Sequence, residues 1–122
     1  MTLDTNILIA HLNGEAAVIE AIVAWKRAGR QLFISSISTA EILALETLTS
    51  NETDRIRNFL VENFLSVPFD DDIAEQAAML RRSYRIELPD AAIAATALDY
   101  DVPLVTRDRQ FRKIPGLTIV AL

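Results

Sequence analysis

The chain has 122 residues, 12 of them basic and 17 acidic, for a formal net charge of −5. That length suits one domain, residues 1–122, and 51% hydrophobic residues with only 3 glycines and 4 prolines exclude collagen-like, low-complexity and disordered classes. With no cysteine, disulfide scaffolds, thiolate zinc sites, thiol nucleophiles and Fe–S clusters are excluded as well, which fits a cytoplasmic location. The first residues lack a positively charged leader, and no apolar run approaches the ~18 residues of a membrane span. The acidic balance argues against holding nucleic acid mainly by neutralising phosphates, yet leaves room for an enzyme that acts on nucleic acid through a bound metal.

In chain order, Thr2 to Asp4 reads as the end of a short strand, followed at once by a helical run from Asn6 to Leu12. Helical spacing recurs over 15–28, with Val18, Ile19, Ile22 and Trp25 on one face and Gly29 where the helix would stop. Leu32-Phe33-Ile34 reads as a buried strand. Ser38-Thr39-Ala40-Glu41 has the spacing of a capping box and predicts a helix to about Leu48. A helix opening at Ser50 or Asn51 carries Ile56, Phe59, Leu60 and Phe64 as a core-facing stripe. Leu65 to Phe69 predicts a strand, and Asp70-Asp71-Asp72 starts a helix with Ile73, Ala77, Leu80 and Tyr84 in helical period. Pro89-Asp90 precedes an Ala-rich helix from Ala91 to Leu98. Strands follow at 103–106 and 117–122.

Strands separated by helical stretches predict an α/β fold, three-layer α/β/α with a central, mainly parallel sheet. In such folds the ligand site lies beyond the carboxyl ends of the strands. Asp4 closes the first strand and Asp108 follows the strand at 104–106, while Glu41 and Asp90 stand at the starts of helices. If these four acids met in one cleft, each close pair would repel by roughly 4 kcal/mol at ~4 Å and an effective dielectric of ~20, so a cation would have to sit among them. All-oxygen ligands, without cysteine and with a single histidine, favour Mg²⁺ or Mn²⁺ over zinc or copper. Each acid also has a structural reading. Glu41 could close a capping box, Asp90 could be an N-cap, Asp4 could cap the helix after it, and Asp108 could be a turn residue.

Leu3-Asp4-Thr5-Asn6, Ser38-Thr39-Ala40-Glu41-Ile42, Leu88-Pro89-Asp90-Ala91-Ala92-Ile93-Ala94-Ala95-Thr96-Ala97 and Leu104-Val105-Thr106-Arg107-Asp108-Arg109-Gln110-Phe111 resemble the PIN-domain family, and within it the VapC-type toxins. The four motifs occur in order from residue 3 onward. The resemblance implies a metal-dependent endoribonuclease, the toxin of a toxin–antitoxin pair, with Asp4, Glu41, Asp90 and Asp108 as catalytic metal ligands for Mg²⁺ or Mn²⁺. It further implies that water attacks phosphorus to leave a 5′-phosphate and a 3′-hydroxyl. Thr106 and Asn6 would orient a carboxylate or the substrate, against plain readings as a strand end and a local cap. An RNA substrate, a cognate antitoxin that covers the acidic cleft and a homodimer complete what the resemblance implies.

Ten of the twelve basic residues fall in three bursts: Lys26, Arg27 and Arg30; Arg81, Arg82 and Arg85; Arg107, Arg109, Arg112 and Lys113. The last brackets Asp108, which makes Arg107, Arg109 and Arg112 candidates for RNA phosphates, although a charge run is usually a solvated face. Arg81 and Arg85 are second candidates. His11 reads as a polar residue of the first helix, since a lone histidine cannot form the acid–base pair of a metal-free ribonuclease. Trp25 reads as core. The remaining alternatives are a PIN-like binding domain without nuclease activity, a DNA nuclease with the same chemistry, and a receiver-type phosphorylation domain, which the position of the acids and the scarcity of lysine disfavour.

Overall fold

A computed structural model describes all residues, Met1–Leu122. In chain order the elements are β1 (Thr2–Leu3), α1 (Thr5–Leu12), α2 (Ala16–Arg27), β2 (Phe33–Ser35), α3 (Ser36–Leu43), α4 (Ser50–Asn63) and β3 (Leu65–Val67). Then come α5 (Asp71–Tyr84), α6 (Leu88–Asp99), β4 (Leu104–Val105), a 3-10 turn (Arg109–Lys113) and β5 (Ile119–Val120). The strands form one sheet in the order β3-β2-β1-β4-β5, parallel at every pairing.

Strand residues alternate between two cores, as a pleated strand requires. Leu3, Ile34, Val105 and Val120 pack with Ile7, Leu8, Val18, Ile22, Ile42 and Leu60 of α1 to α4. Phe33, Leu104 and Ile119 turn the other way, against Ile73, Ala77, Ile93, Ala94 and Ala97 of α5 and α6. This produces the α/β/α layering predicted from the strand–helix alternation. The small side chains of α6 are why it can be buried almost all round, Ala91 to Ala97 having no exposed member. Trp25 lies partly buried against the first core, and His11 stacks on Phe59 at 4.7 Å between ring centroids.

Two helix starts differ from the sequence reading. Helix α3 begins directly after β2, with Ser35 as N-cap accepting from the Ile37 N–H, so Ser38-x-x-Glu41 is not a capping box. It is one face of a helix already under way, which ends at Leu43 rather than Leu48. The capping box of this chain is Thr49 with Glu52, at the start of α4. Helix α6 begins at Leu88, with Glu87 as N-cap and Pro89 in its first turn, where the missing N–H has no intrahelical role. Asp90 therefore lies inside the first turn and is not the N-cap. Strands β3, β4 and β5 are each shorter than predicted because only part of each segment pairs: the first three residues of β3's and the central two of β4's and β5's.

The central strand β1 has β2 on one side and β4 on the other. The chain leaves β1 through α1 and α2 to reach β2, and returns from β3 through α5 and α6 to β4, on the opposite face. The carboxyl ends of β1 and β4 thus flank the topological switch point, where an open parallel sheet leaves a crevice.

Candidate active site

Asp4 follows β1 at this crevice. It is the N-cap residue of α1 by backbone position but makes no capping bond with its side chain, so its carboxylate is available for other work. The side chain is only 3% exposed, and its Oδ2 accepts a 2.8 Å hydrogen bond from Thr106 Oγ1 at the end of β4. Burial pushes the Asp4 carboxyl up; the Thr106 hydroxyl and the Thr5 backbone N–H pull it back, and Asp108 and Glu41 push it up again. The Thr106 oxygen also accepts from the Asp108 N–H at 3.0 Å, which ties Asp108 to the same strand end.

Asp108 is half-buried and caps the 3-10 turn, its Oδ1 accepting from the Gln110 N–H at 2.9 Å. Its expected turn role is therefore real, and it occupies one oxygen. Asp90, in the first turn of α6, is pushed up to about 6, first by burial and then by the charges of Asp4, Asp108, Glu41 and Glu87. Glu41 is exposed on α3, and its Oε1 accepts a 2.8 Å hydrogen bond from Thr5 Oγ1. The four acids thus share one electrostatic neighbourhood, and no lysine or arginine is among the groups acting on Asp4 or Asp90.

As the side chains stand, no three carboxylates are close enough to chelate an ion. The donor set, all carboxylate oxygen with a hydroxyl behind it, has the chemistry that Mg²⁺ or Mn²⁺ takes and that zinc or copper does not prefer.

The other expected residues are placed less evenly. Asn6 is exposed and makes no side-chain hydrogen bond to Asp4, whose partner is Thr106. Arg107 is held by partners outside the four acids. Its guanidinium makes a two-pronged ion pair with Glu15 at the start of α2, and its Nε donates to the Leu122 carbonyl at 3.1 Å. Arg109 and Arg112 are exposed and, together with Arg107, line a depression of about 190 Å³ beside Thr106 and Asp108. Arg81 donates to the Ile86 carbonyl and helps close the turn after α5. Thr5 and Ser38, both buried and joined at 2.8 Å, belong to the site's surroundings; both lie in motifs singled out from the sequence, but neither was assigned a part in the site.

The PIN domain family model matches residues 1–117. A curated relative, ribonuclease VapC10 of Mycobacterium tuberculosis, is 37% identical over 109 residues, covering 84% of this chain and 78% of the relative. Among solved structures, a toxin–antitoxin complex from Klebsiella pneumoniae superposes with a TM-score of 0.81 at 35% identity, covering 98% of this chain and 94% of that one. VapBC2 from Rickettsia felis, solved bound to a DNA fragment from its promoter, has a TM-score of 0.86 at 20% identity, covering 99% and 97% of the two chains, and shares the fold. No single helix is long and apolar enough to cross a membrane.

Proposed function

The chain belongs to the PIN-domain family, and on that premise we propose that it is a VapC-type endoribonuclease, the toxin of a toxin–antitoxin pair. The ribonuclease relative supports the activity and the Klebsiella complex supports an antitoxin partner. What supports the mechanism is the shared electrostatic neighbourhood of the acids: Asp108 and Glu41 act on Asp4, and Asp4, Asp108 and Glu41 act on Asp90, with no cation side chain among the groups acting on either.

Asp4, Glu41, Asp90 and Asp108 are the residues that would hold Mg²⁺ or Mn²⁺. Bound there, the ion supplies a water of lowered pKa and positive charge for the scissile phosphate and the leaving oxygen. The chain's own groups prepare that site. The Thr106 hydroxyl favours the charged form of Asp4 and fixes one of its oxygens. Asp90, pushed up to about 6 by burial and by the neighbouring acids, would be drawn toward its charged form by a cation bound there. Arg109 and Arg112 stand beside Asp108 as phosphate contacts for RNA. Asn6, exposed two residues after Asp4, would contact the substrate. Arg107, by contrast, anchors the Asp108 loop to α2 through Glu15. A homodimer of this domain acting on RNA in the cytoplasm, with an antitoxin as partner, completes the proposal.

The test is cleavage of a labelled structured RNA by purified protein with Mn²⁺, with EDTA, and with Asp4→Asn and Asp90→Asn in parallel. Cleavage that needs the metal and both acids is expected. Cleavage that survives EDTA or both substitutions would refute the mechanism, and silence in every condition would leave a partner-binding domain without nuclease activity.

A further inference from the structure

Thr5 is the first residue of α1, and its hydroxyl stands 2.8 Å from both Glu41 Oε1 and Ser38 Oγ of α3. It has one proton to give. A carboxylate can only accept, so the Thr5 proton goes to Glu41, and the contact with Ser38 is satisfied only if the Ser38 hydroxyl donates to Thr5. Thr5 is 6% exposed and Ser38 fully buried, so neither hydroxyl has bulk water as an alternative partner. The result is a directional relay, Ser38 to Thr5 to Glu41, running from the buried face of α3 to its exposed edge.

Glu41 needs such an anchor. It is an exposed, flexible side chain, and a free glutamate would lose side-chain entropy on being ordered by a ligand. Thr5 follows Asp4 directly, so its position is fixed by the same strand end that sets the first acid. We infer that Thr5 is a positioning residue that holds one oxygen of Glu41 and so presents the other toward the acid cleft. The inference rests on the metal-site reading of the four acids. It gives the hydroxyl of Thr5, on the Glu41 side, the part that Thr106 plays toward Asp4.

The test is Mn²⁺ binding to the purified full chain by calorimetry, in a double-mutant cycle of Thr5→Val with Glu41→Ala. Thr5→Val keeps the shape and removes the hydroxyl; a loss of about tenfold in Mn²⁺ affinity is expected, the scale seen when groups supporting metal ligands are removed. Thr5→Ser keeps the hydroxyl and restores the affinity. On the Glu41→Ala background Thr5→Val has no further effect, an outcome that a merely structural role would not produce. Should Thr5→Val fail to fold, Ser38→Ala replaces it in the same cycle with the same expected coupling. A folded Thr5→Val that binds Mn²⁺ like the parent, or an effect that persists without Glu41, overturns the inference while leaving the nuclease reading intact. A parent protein that binds no Mn²⁺ overturns both.

Discussion

Thr106 and Asp4, 102 positions apart in the chain, are joined by a buried 2.8 Å hydrogen bond across the carboxyl ends of the two strands they follow. The bond exists because β1 and β4 are paired in parallel register, Leu3 beside Val105, so that their next residues leave the sheet together. Removing the hydroxyl leaves a buried carboxylate with one donor fewer. Thr106→Val should destabilise the protein by about 1–3 kcal/mol and lower metal-dependent cleavage by roughly 10–100-fold, while Thr106→Ser retains both. Chemical denaturation alongside RNA cleavage checks this; a valine variant with normal activity would remove Thr106 from the site.

Asp90 links the site to pH. Its carboxyl titrates near 6 in the folded chain against 3.8 for a free side chain, so ionisation is harder in the fold than out of it. The sign follows. With respect to this group, the metal-free protein is most stable below the unfolded value and loses stability as pH rises through the folded one. Asp90→Asn lacks that loss. In EDTA above about pH 7 it should melt higher than the parent by an amount equivalent to ~1–2 kcal/mol, after allowance for its half-exposed side chain, and the gap should close by about pH 4. A variant that melts lower at neutral pH would contradict the repulsion among the four acids.

The arginines beside Asp108 divide by geometry. Arg109→Ala or Arg112→Ala should weaken RNA binding and flatten its log–log salt dependence by about 0.7 for each phosphate that is no longer neutralised. Arg107→Ala should leave that slope unchanged and act instead like Glu15→Ala, through a looser Asp108 loop. Binding measured at several salt concentrations separates the two groups; a reduced slope for Arg107→Ala would return it to the RNA surface.

The start of α3 is open to a separate check. Ser35→Ala removes the hydroxyl that accepts from Ile37 and should cost about 1 kcal/mol of stability, as loss of an N-cap usually does. An unchanged melting temperature would show that this cap contributes nothing.

The order of strands and helices was legible because apolar periodicity changes cleanly from one element to the next, and Asp4 and Asp108 were legible as acids just beyond strands. Glu41 and Asp90 were harder to read. The Ser38-x-x-Glu41 spacing fits a capping box, and it fits equally two residues on one face of a helix that began earlier. Only the end of β2 at Ser35 decides between them. Likewise Pro89 was compatible with a helix beginning before it or after it. Both resolved against the capping explanation, which leaves those two carboxylates without the structural role that would have accounted for them. Thr5 meets partners 33 and 36 positions away, and Arg107 meets Glu15 at a separation of 92. No local signal encodes such pairs; they appear only once the sheet order is known.

The most direct measurement is anomalous diffraction from crystals of the metal-free protein soaked in Mn²⁺. A single strong manganese peak is expected in the crevice beyond β1 and β4, within about 2.2 Å of carboxylate oxygens that include Asp4 and Asp90. Manganese bound elsewhere on the surface, with those carboxylates unliganded, would contradict it.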